Sequence, residues 1–221
     1  MHSARVVSVN VGRPRVVEGL DVTSAIDKHV VASAQVGPLG LGSDEVADTK
    51  YHGGAYQAVY AYAQEDLDLW SGRLGSTVRP GLFGENLTTA GIDVSEALVG
   101  ERWRIGPTLL EVTAVRIPCW TFQQWMAVNG FPARGWVKRF AAEGRPGAYL
   151  RVLEPGSLRT GDPVVVEHRP GHGVSVALMF RALTTERSLL PLLLDLGDID
   201  PMALREAAAY VAKSSPAPAS V

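Results

Sequence analysis

The stretch Leu98-Val-Gly-Glu-Arg-Trp-Arg-Ile-Gly-Pro-Thr-Leu-Leu-Glu-Val-Thr-Ala-Val-Arg-Ile-Pro-Cys119 decides how the fold of this chain is interpreted. It contains two segments rich in β-branched and aromatic or apolar residues, Leu98–Ile105 and Thr108–Val115, which a Gly-Pro pair separates. Such segments between turn residues are typical of short β-strands. The second segment leads directly into Arg116-Ile-Pro-Cys119. The stretch therefore predicts β-structure with a thiol just beyond the end of one strand.

The same pattern extends outward on both sides, from Arg5 to about Glu167. We predict five further strands, at Val6–Val11, Val16–Leu20, Val59–Tyr62, Ala148–Leu153 and Val164–Glu167. Apolar residues at helical spacing predict helices at Gln64–Leu74, Thr121–Val128 and Arg134–Ala142. Many short strands with turn signals favour a closed or sandwiched sheet. The expected fold is mainly β with flanking helices, and it occupies residues 1–168.

A change in pattern marks the C-terminal part of the chain. After residue 173 the β-branched residues become rare and the apolar spacing becomes helical. We predict a small domain of three helices at 174–213, made of Ser175–Leu183, Thr185–Leu196 and Pro201–Lys213. Asp200 is a good N-cap for the last of them. The tail, 214–221, alternates Pro, Ala and Ser, and we expect it to be disordered.

Composition excludes several classes of protein. The 221 residues carry 21 Lys plus Arg against 23 Asp plus Glu, a formal net charge of −2, so a nucleic acid polymer is not an expected partner. No run approaches the roughly 20 apolar residues that a membrane span needs. The N-terminus shows no secretory signal pattern. We expect a cytoplasmic protein with no membrane partner, and a monomer.

The chain has one cysteine, Cys119, which excludes an internal disulfide and any zinc or iron–sulfur site built from several thiolates. A thiol is a nucleophile or metal ligand only as thiolate, which a nearby guanidinium favours. Arg116 is close enough in sequence to act in this way. The alternative is a buried structural cysteine beside a packed Trp120, the commoner role of a lone cysteine.

Two further segments are candidates for a functional site. In the first, His52 precedes Gly53 and Gly54 and leads into an apolar strand. Paired glycines allow close approach of a backbone or ligand, and an imidazole transfers protons near neutral pH, but a tight turn with a half-exposed histidine explains the segment equally well. In the second, apolar neighbours enclose Glu85 and Asn86. Such an asparagine is either fully bonded to backbone or directed at a ligand.

Taken together, these segments resemble the MOSC family, named after the C-terminal domain of molybdenum cofactor sulfurases. The resemblance is to its bacterial YiiM-like group, which carries a three-helix domain after a β-barrel. The matching motifs are His52-Gly-Gly54, Phe83-Gly-Glu-Asn-Leu87, Gly100-Glu-Arg-Trp-Arg-Ile-Gly106, Arg116-Ile-Pro-Cys119, Gly147-Ala-Tyr-Leu-Arg-Val-Leu153 and Gly161-Asp162. No single motif is decisive, but their order is specific and covers nearly the whole chain.

The resemblance implies a MOSC-type β-barrel that binds the molybdenum cofactor, a pterin with dithiolene sulfurs and a phosphate. Cys119 is then the ligand of the metal or the carrier of its sulfur. The cofactor brings further sulfur ligands, so one thiolate suffices. Pyridoxal phosphate is not an expected cofactor.

The implied activity is a molybdenum-dependent oxidoreductase that reduces N-hydroxylated small molecules, such as the nucleobase 6-N-hydroxylaminopurine, to amines. This is a detoxification reaction. Its electrons require a separate flavin or iron–sulfur reductase, because this chain has no such motif. The residues assigned are the catalytic Cys119 and His52, with His52 supplying protons, and for cofactor binding Lys28, Gly53, Gly54, Glu85, Asn86 and Arg116.

Two alternatives stay open at this point. The first is a carrier that holds the cofactor, or a persulfide on Cys119, and transfers it to another enzyme without turnover. The second is a β-barrel without catalytic function whose thiol is merely buried.

Overall fold

The computed structural model describes residues 3–18, 22–48 and 52–214. Within them the strands are β1 (Arg5–Val11), β2 (Arg15–Val16), β3 (Thr23–Ser24), β4 (His29–Val31), β5 (Ser33–Gly37), β6 (Gly40–Leu41), β7 (Val59–Ala63), β8 (Leu87–Ala90), β9 (Arg102–Ile105), β10 (Thr108–Val115), β11 (Ala148–Glu154), β12 (Gly156–Arg159) and β13 (Val164–His168). The α-helices are α1 (Gln64–Leu74), α2 (Trp120–Val128), α3 (Trp136–Glu143), α4 (Val176–Leu183) and α5 (Pro201–Ser214). Short 3₁₀ helices lie at Ala55–Gln57 and Arg187–Leu193.

Eight strands form one large sheet in the order β13-β9-β10-β11-β7-β8-β1-β4. Neighbours are antiparallel, except that β7 and β8 are parallel. The amide of Val6 also donates to the carbonyl of Asp162, and that of Val164 to the carbonyl of Ala4, both at 2.9 Å. These bonds join β1 to the start of β13, so the sheet curves back on itself. The predicted fold class, β-structure with flanking helices and a small helical unit at the C-terminal end, is confirmed.

The sequence pattern misses most of the shortest strands. The smaller sheets, β12-β5-β6 and the β2–β3 pair, involve strands of two to five residues, too short for a detectable alternation. The predicted strand Leu98–Ile105 begins only at Arg102, because Gly100 turns the chain with a φ of 86°. Of the predicted strand Val16–Leu20, only Val16 is in strand β2. Its last two residues lie outside the described residues.

Aromatic side chains from three helices make a dense part of the core. Trp70 of α1, Phe122 of α2 and Trp136 of α3 are fully buried and surround Phe83, which precedes β8. The ring centroids of Phe83 and Phe122 are 5.1 Å apart, and those of Trp70 and Trp136 are 4.7 Å apart. Burial of such rings stabilises a fold by a few kcal/mol each. This cluster fixes the start of α2 against the loop that leads into β8.

The C-terminal segment is helical, as predicted. The hydroxyl of Ser175 accepts from the amide of Leu178 at the start of α4, and a carboxylate oxygen of Asp200 accepts from the amide of Met202 at the start of α5. The predicted middle helix is instead the 3₁₀ segment Arg187–Leu193, because Pro191 has no amide hydrogen to donate. Most of the tail predicted to be disordered, residues 215–221, lies outside the described residues. No helix in the described part of the chain is long and apolar enough to span a membrane.

Candidate functional site

A cavity of about 300 Å³ opens where the loop after β10, the start of α2 and the segments that precede β4 and β8 meet. This volume is at the lower end of the range for small-molecule sites. Six of the eight residues that the sequence predicts for a site line it. They are Lys28, His52, Gly53, Asn86, Arg116 and Cys119. Glu85 and Gly54 do not line it.

Cys119 lies at the position just before the first residue of α2. Its backbone is extended, with φ −126° and ψ 175°, and its side chain is half-buried. Strand β10, all of whose residues are buried, leads to it and is held on both sides by β9 and β11. The unpaired amides and the dipole of a helix N-terminus favour negative charge nearby. The thiol is therefore held in the cavity wall beside the N-terminus of α2.

Arg116 places a buried positive charge in the cavity wall. Its guanidinium donates to the carbonyl oxygen of Phe83 and lies flat over Phe122, with 3.6 Å between Cζ and the ring centroid. These contacts fix the side chain without neutralising its charge, because a carbonyl and a ring carry no formal charge. The guanidinium remains available to attract an anionic group in the cavity.

Lys28 forms an ion pair with Asp44, and both side chains are about nine-tenths buried. Burial lowers the pKa of Lys28, and the adjacent Asp44 carboxylate partly offsets this effect. The same carboxylate oxygen accepts from the amide of Gly12 at 2.7 Å. Asp44 was not predicted as a site residue. It lies 16 positions from Lys28 in a loop without a motif of its own, so no signal in the sequence pairs the two.

Asn86 bonds to the protein through its whole amide group. Its side-chain oxygen accepts from the amide of Tyr60 at 3.1 Å. Its side-chain nitrogen donates to the carbonyl of Asn10 at 3.3 Å and to Asp44 at 2.8 Å. Of the two alternatives for this residue, the structure therefore shows the fully bonded one. Asn86 holds Asp44, and through it Lys28, in the cavity wall.

Glu85 lies behind the wall and is fully buried. Its carboxylate accepts from the amides of Gly81 and Phe83 and from the hydroxyl of Thr88. Burial raises the pKa of Glu85, although these hydrogen bonds act in the opposite direction. Its contacts shape the loop that carries Asn86.

His52 lies at the mouth of the cavity with its side chain exposed. Partial removal from water and the positive charge of Arg116 lower the pKa of His52 below the ordinary value for an imidazole. The ring is therefore mainly neutral at pH 7. Gly53 and Gly54 follow with φ angles of 81° and 79°, in the left-handed region that favours glycine.

Two neighbouring tyrosines, Tyr60 and Tyr149, also line the cavity, with ring centroids 4.9 Å apart and ring planes tilted by 35°. The hydroxyl of Tyr60 donates to the carbonyl of Pro146 at 2.7 Å. Tyr149 was not predicted as a site residue. Gly147, two positions before it, is the one signal in the sequence for a place where the backbone packs closely against its neighbours.

The cavity lacks a metal site of its own. Within residues 3–18, 22–48 and 52–214, no three His, Cys, Asp or Glu side chains are grouped so that they could hold a metal ion. A metal bound at the Cys119 thiol must therefore arrive with most of its other ligands. The wall offers such a complex one soft sulfur donor and the cations of Arg116 and Lys28.

Comparison with known proteins agrees with this architecture. The family model of the MOSC domain matches residues 48–165. The uncharacterized protein YflK of Bacillus subtilis strain 168 is 30% identical over 174 residues, which cover 77% of this chain and 76% of YflK. Protein YiiM of Escherichia coli K12 is 29% identical over 151 residues, which cover 66% of this chain and 65% of YiiM.

Solved structures extend the similarity to nearly the full length. The crystal structure of YiiM from Geobacillus stearothermophilus aligns with a TM-score of 0.77 and 26% identity, over 94% of this chain and 99% of that one. The crystal structure of YiiM from Escherichia coli aligns with a TM-score of 0.73 over 97% of this chain and 95% of that one. At 19% identity this second alignment supports the fold alone.

Proposed function

Because the chain belongs to the MOSC domain family, we propose that its cavity binds the molybdenum cofactor and that the protein reduces N-hydroxylated small molecules to amines. N-hydroxylated nucleobases such as 6-N-hydroxylaminopurine are the substrates we expect. The observation that carries the proposal is the position of the lone thiol of Cys119 in a cavity wall that also holds two buried cations, Arg116 and Lys28.

The residues present fit this cofactor. A metal already held by dithiolene sulfurs needs one further soft ligand from the protein, and the Cys119 thiolate would be that ligand. The cofactor phosphate is an anion, which Arg116 and Lys28 would attract. Asp44 partly offsets the lowering of the Lys28 pKa by burial, which favours the charged form of the lysine. Asn86 contributes by holding this ion pair, since its own amide is already bonded.

The reaction consumes two electrons and two protons for each N–O bond that is broken and yields an amine and water. The bound cofactor supplies the two-electron chemistry. The protein excludes bulk water with the cavity wall and positions the substrate near Cys119. His52 connects the cavity mouth to solvent. Because its ring is mainly neutral at pH 7, it suits a relay that takes a proton from water and passes it on.

The electrons require a partner, for which we propose a separate flavin or iron–sulfur reductase. The sequence contains no motif for either group, and its one cysteine cannot hold an iron–sulfur cluster.

The test is the molybdenum and pterin content of the protein purified from a host that makes the cofactor. We expect near-stoichiometric molybdenum and pterin in the wild type and loss of molybdenum in Cys119→Ala. Ile117→Ala is the matched control, since this exposed neighbour does not line the cavity, and it is expected to keep both. Folded wild-type protein that contains neither molybdenum nor pterin would overturn the proposal.

Activity is then measured with 6-N-hydroxylaminopurine and an artificial electron donor, with formation of the amine followed by chromatography. Molybdenum-loaded wild type should form the amine and Cys119→Ala should not. Loaded protein that forms no amine with any donor would instead identify a carrier of the cofactor.

A further inference from the structure

Tyr149 occupies a closely defined position in the cavity wall. In the sheet it lies opposite Tyr60 of β7 on one side and Ala114 of β10 on the other. The chain before it is held tightly, since Gly147 has a φ of 73° and a Cβ there would lie 2.6 Å from the carbonyl oxygen of Ala61. The strand that carries Tyr149 is therefore fixed beside the strand that leads to Cys119.

The hydroxyl group of Tyr149 differs from that of Tyr60. Both rings line the cavity and pack against each other at a tilt. The hydroxyl of Tyr60 donates to Pro146. The structure records no hydrogen bond from the Tyr149 hydroxyl to any group in the described part of the chain, and this side chain is partly buried in the cavity wall. A hydroxyl at the edge of a small-molecule site with no protein partner is free to bond a ligand.

The surroundings of Tyr149 keep its hydroxyl protonated. Burial raises the pKa of Tyr149, although the positive charge of Arg116 opposes this effect. The imidazole of His52, in contrast, is mainly neutral at pH 7. The N–H of a neutral imidazole is a far weaker acid than a phenol, so Tyr149 is the better proton donor of these two cavity residues.

We propose that Tyr149 donates the hydrogen bond, and then the proton, to the oxygen of the substrate N–OH group. This inference rests on the proposed function and names a further catalytic residue for it. The partner reductase supplies two electrons, the N–O bond breaks, and the nitrogen keeps its bonds to carbon and hydrogen. One proton passes from Tyr149 to the departing oxygen, which leaves as water, and a second proton, from solvent water, goes to the nitrogen, which becomes the amine.

Transfer of the proton from the Tyr149 phenol to the departing oxygen is energetically favourable. An oxygen that leaves nitrogen with an added electron pair has the basicity of hydroxide, which exceeds that of a phenolate. The guanidinium of Arg116, which acts on the Tyr149 ring, stabilises the phenolate that forms. The phenolate then regains its proton from water through the open mouth of the cavity, and the residue is ready for the next turnover.

Ligand binding without turnover tests the hydrogen bond. The dissociation constants of 6-N-hydroxylaminopurine and of its product amine are measured by calorimetry on molybdenum-loaded protein with no reductant present. We expect the wild type to prefer the N-hydroxylated compound about three- to tenfold, the value of one hydrogen bond. Tyr149→Phe should lose this preference. Tyr60→Phe is the matched control and should keep it, with lower stability because Pro146 loses its donor.

The rate of reduction tests the proton transfer. With an artificial donor, Tyr149→Phe should form the amine about a hundredfold more slowly than wild type at pH 7. Two results would overturn the role of Tyr149 and leave the proposed function standing. One is a wild type that binds the N-hydroxylated compound no more tightly than the amine. The other is a Tyr149→Phe variant that keeps both the wild-type binding preference and the wild-type rate of amine formation. Wild type that binds no molybdenum, or that forms no amine, would overturn the proposed function instead.

Discussion

The ammonium group of Lys28 and the carboxylate of Asp44 form an ion pair inside the cavity, where both side chains are about nine-tenths buried. The carboxylate is held on two further sides, by the amide of Gly12 and by the side chain of Asn86. Removing two charges from water is costly, and only close pairing and further hydrogen bonds offset the cost. Asp44 is therefore the main group that opposes the effect of burial on the pKa of Lys28.

Asp44→Asn is expected to destabilise the protein. It leaves Lys28 buried without its ion-pair partner, so the free energy of unfolding falls by about 3–5 kcal/mol at neutral pH. The pKa of Lys28 decreases further, because Asp44 is the main group that raises it. Urea denaturation measures the effect. The control is Glu45→Gln, whose carboxylate lines the same cavity but is 58% exposed, and which should change stability by no more than about 0.5 kcal/mol. Equal changes in the two variants would contradict the role of the ion pair.

Gly147→Ala is expected to disturb the strand that carries Tyr149. The added Cβ would lie 2.6 Å from the carbonyl oxygen of Ala61 and 2.8 Å from the ring of Tyr60. Gly144→Ala is a matched control, since Gly144 has a nearly identical φ of 71° and open space around it. The left-handed conformation alone costs roughly 1–2 kcal/mol. Thermal unfolding should show a clearly larger loss for Gly147→Ala, and comparable losses would exclude the steric explanation.

Asp66 makes stability depend on pH. Burial raises the pKa of its carboxyl group to about 6, although the ion pair with Arg145 acts in the opposite direction. In the unfolded chain the group ionises near pH 4, so it is protonated in both states at lower pH. As the pH rises from about 4 through 6, the unfolded state ionises first and folding loses up to about 3 kcal/mol from this group.

Denaturation from pH 4 to pH 7 tests this dependence. Relative to wild type, Asp66→Asn should become progressively more stable as the pH rises, whatever constant difference the substitution adds. Asp68→Asn, on the exposed face of the same helix, should run parallel to wild type. A difference between wild type and Asp66→Asn that does not vary with pH would refute the raised pKa.

Asp200 connects the C-terminal helices to the cavity. One carboxylate oxygen caps α5 through the amide of Met202, and the other accepts from the side chain of Gln57, a cavity residue, at 2.9 Å. Asp200→Ala should therefore cost about 1–2 kcal/mol of stability. Hydrogen exchange should show increased opening of α5. The exposed Asp195 serves as the control, and its replacement by alanine should have little effect. An unaltered exchange rate in α5 would argue against the cap.

The long elements of the fold are encoded locally. Thr108–Val115 and Gln64–Leu74 were predicted with the bounds that the structure has, because each repeats its apolar pattern over several residues. Strands of two to five residues, such as β3 and β8, have too few positions for a pattern, and their partners across the sheet define them. The helix predicted at Thr185–Leu196 is instead a 3₁₀ segment, because Pro191 has no amide hydrogen to donate.

The sequence by itself determined the β-rich fold, the helical C-terminal segment, and the motifs that include His52, Arg116 and Cys119, because these depend on residues close together in the chain. Only the tertiary structure decided that the side-chain amide of Asn86 is bonded to the protein, that Asp44 pairs with Lys28, and that Tyr149 lines the same cavity as Cys119. Each of these facts depends on burial and on partners from distant strands. Desolvation and hydrogen bonding act through space, so their outcome is set only when the sheet has closed around the cavity.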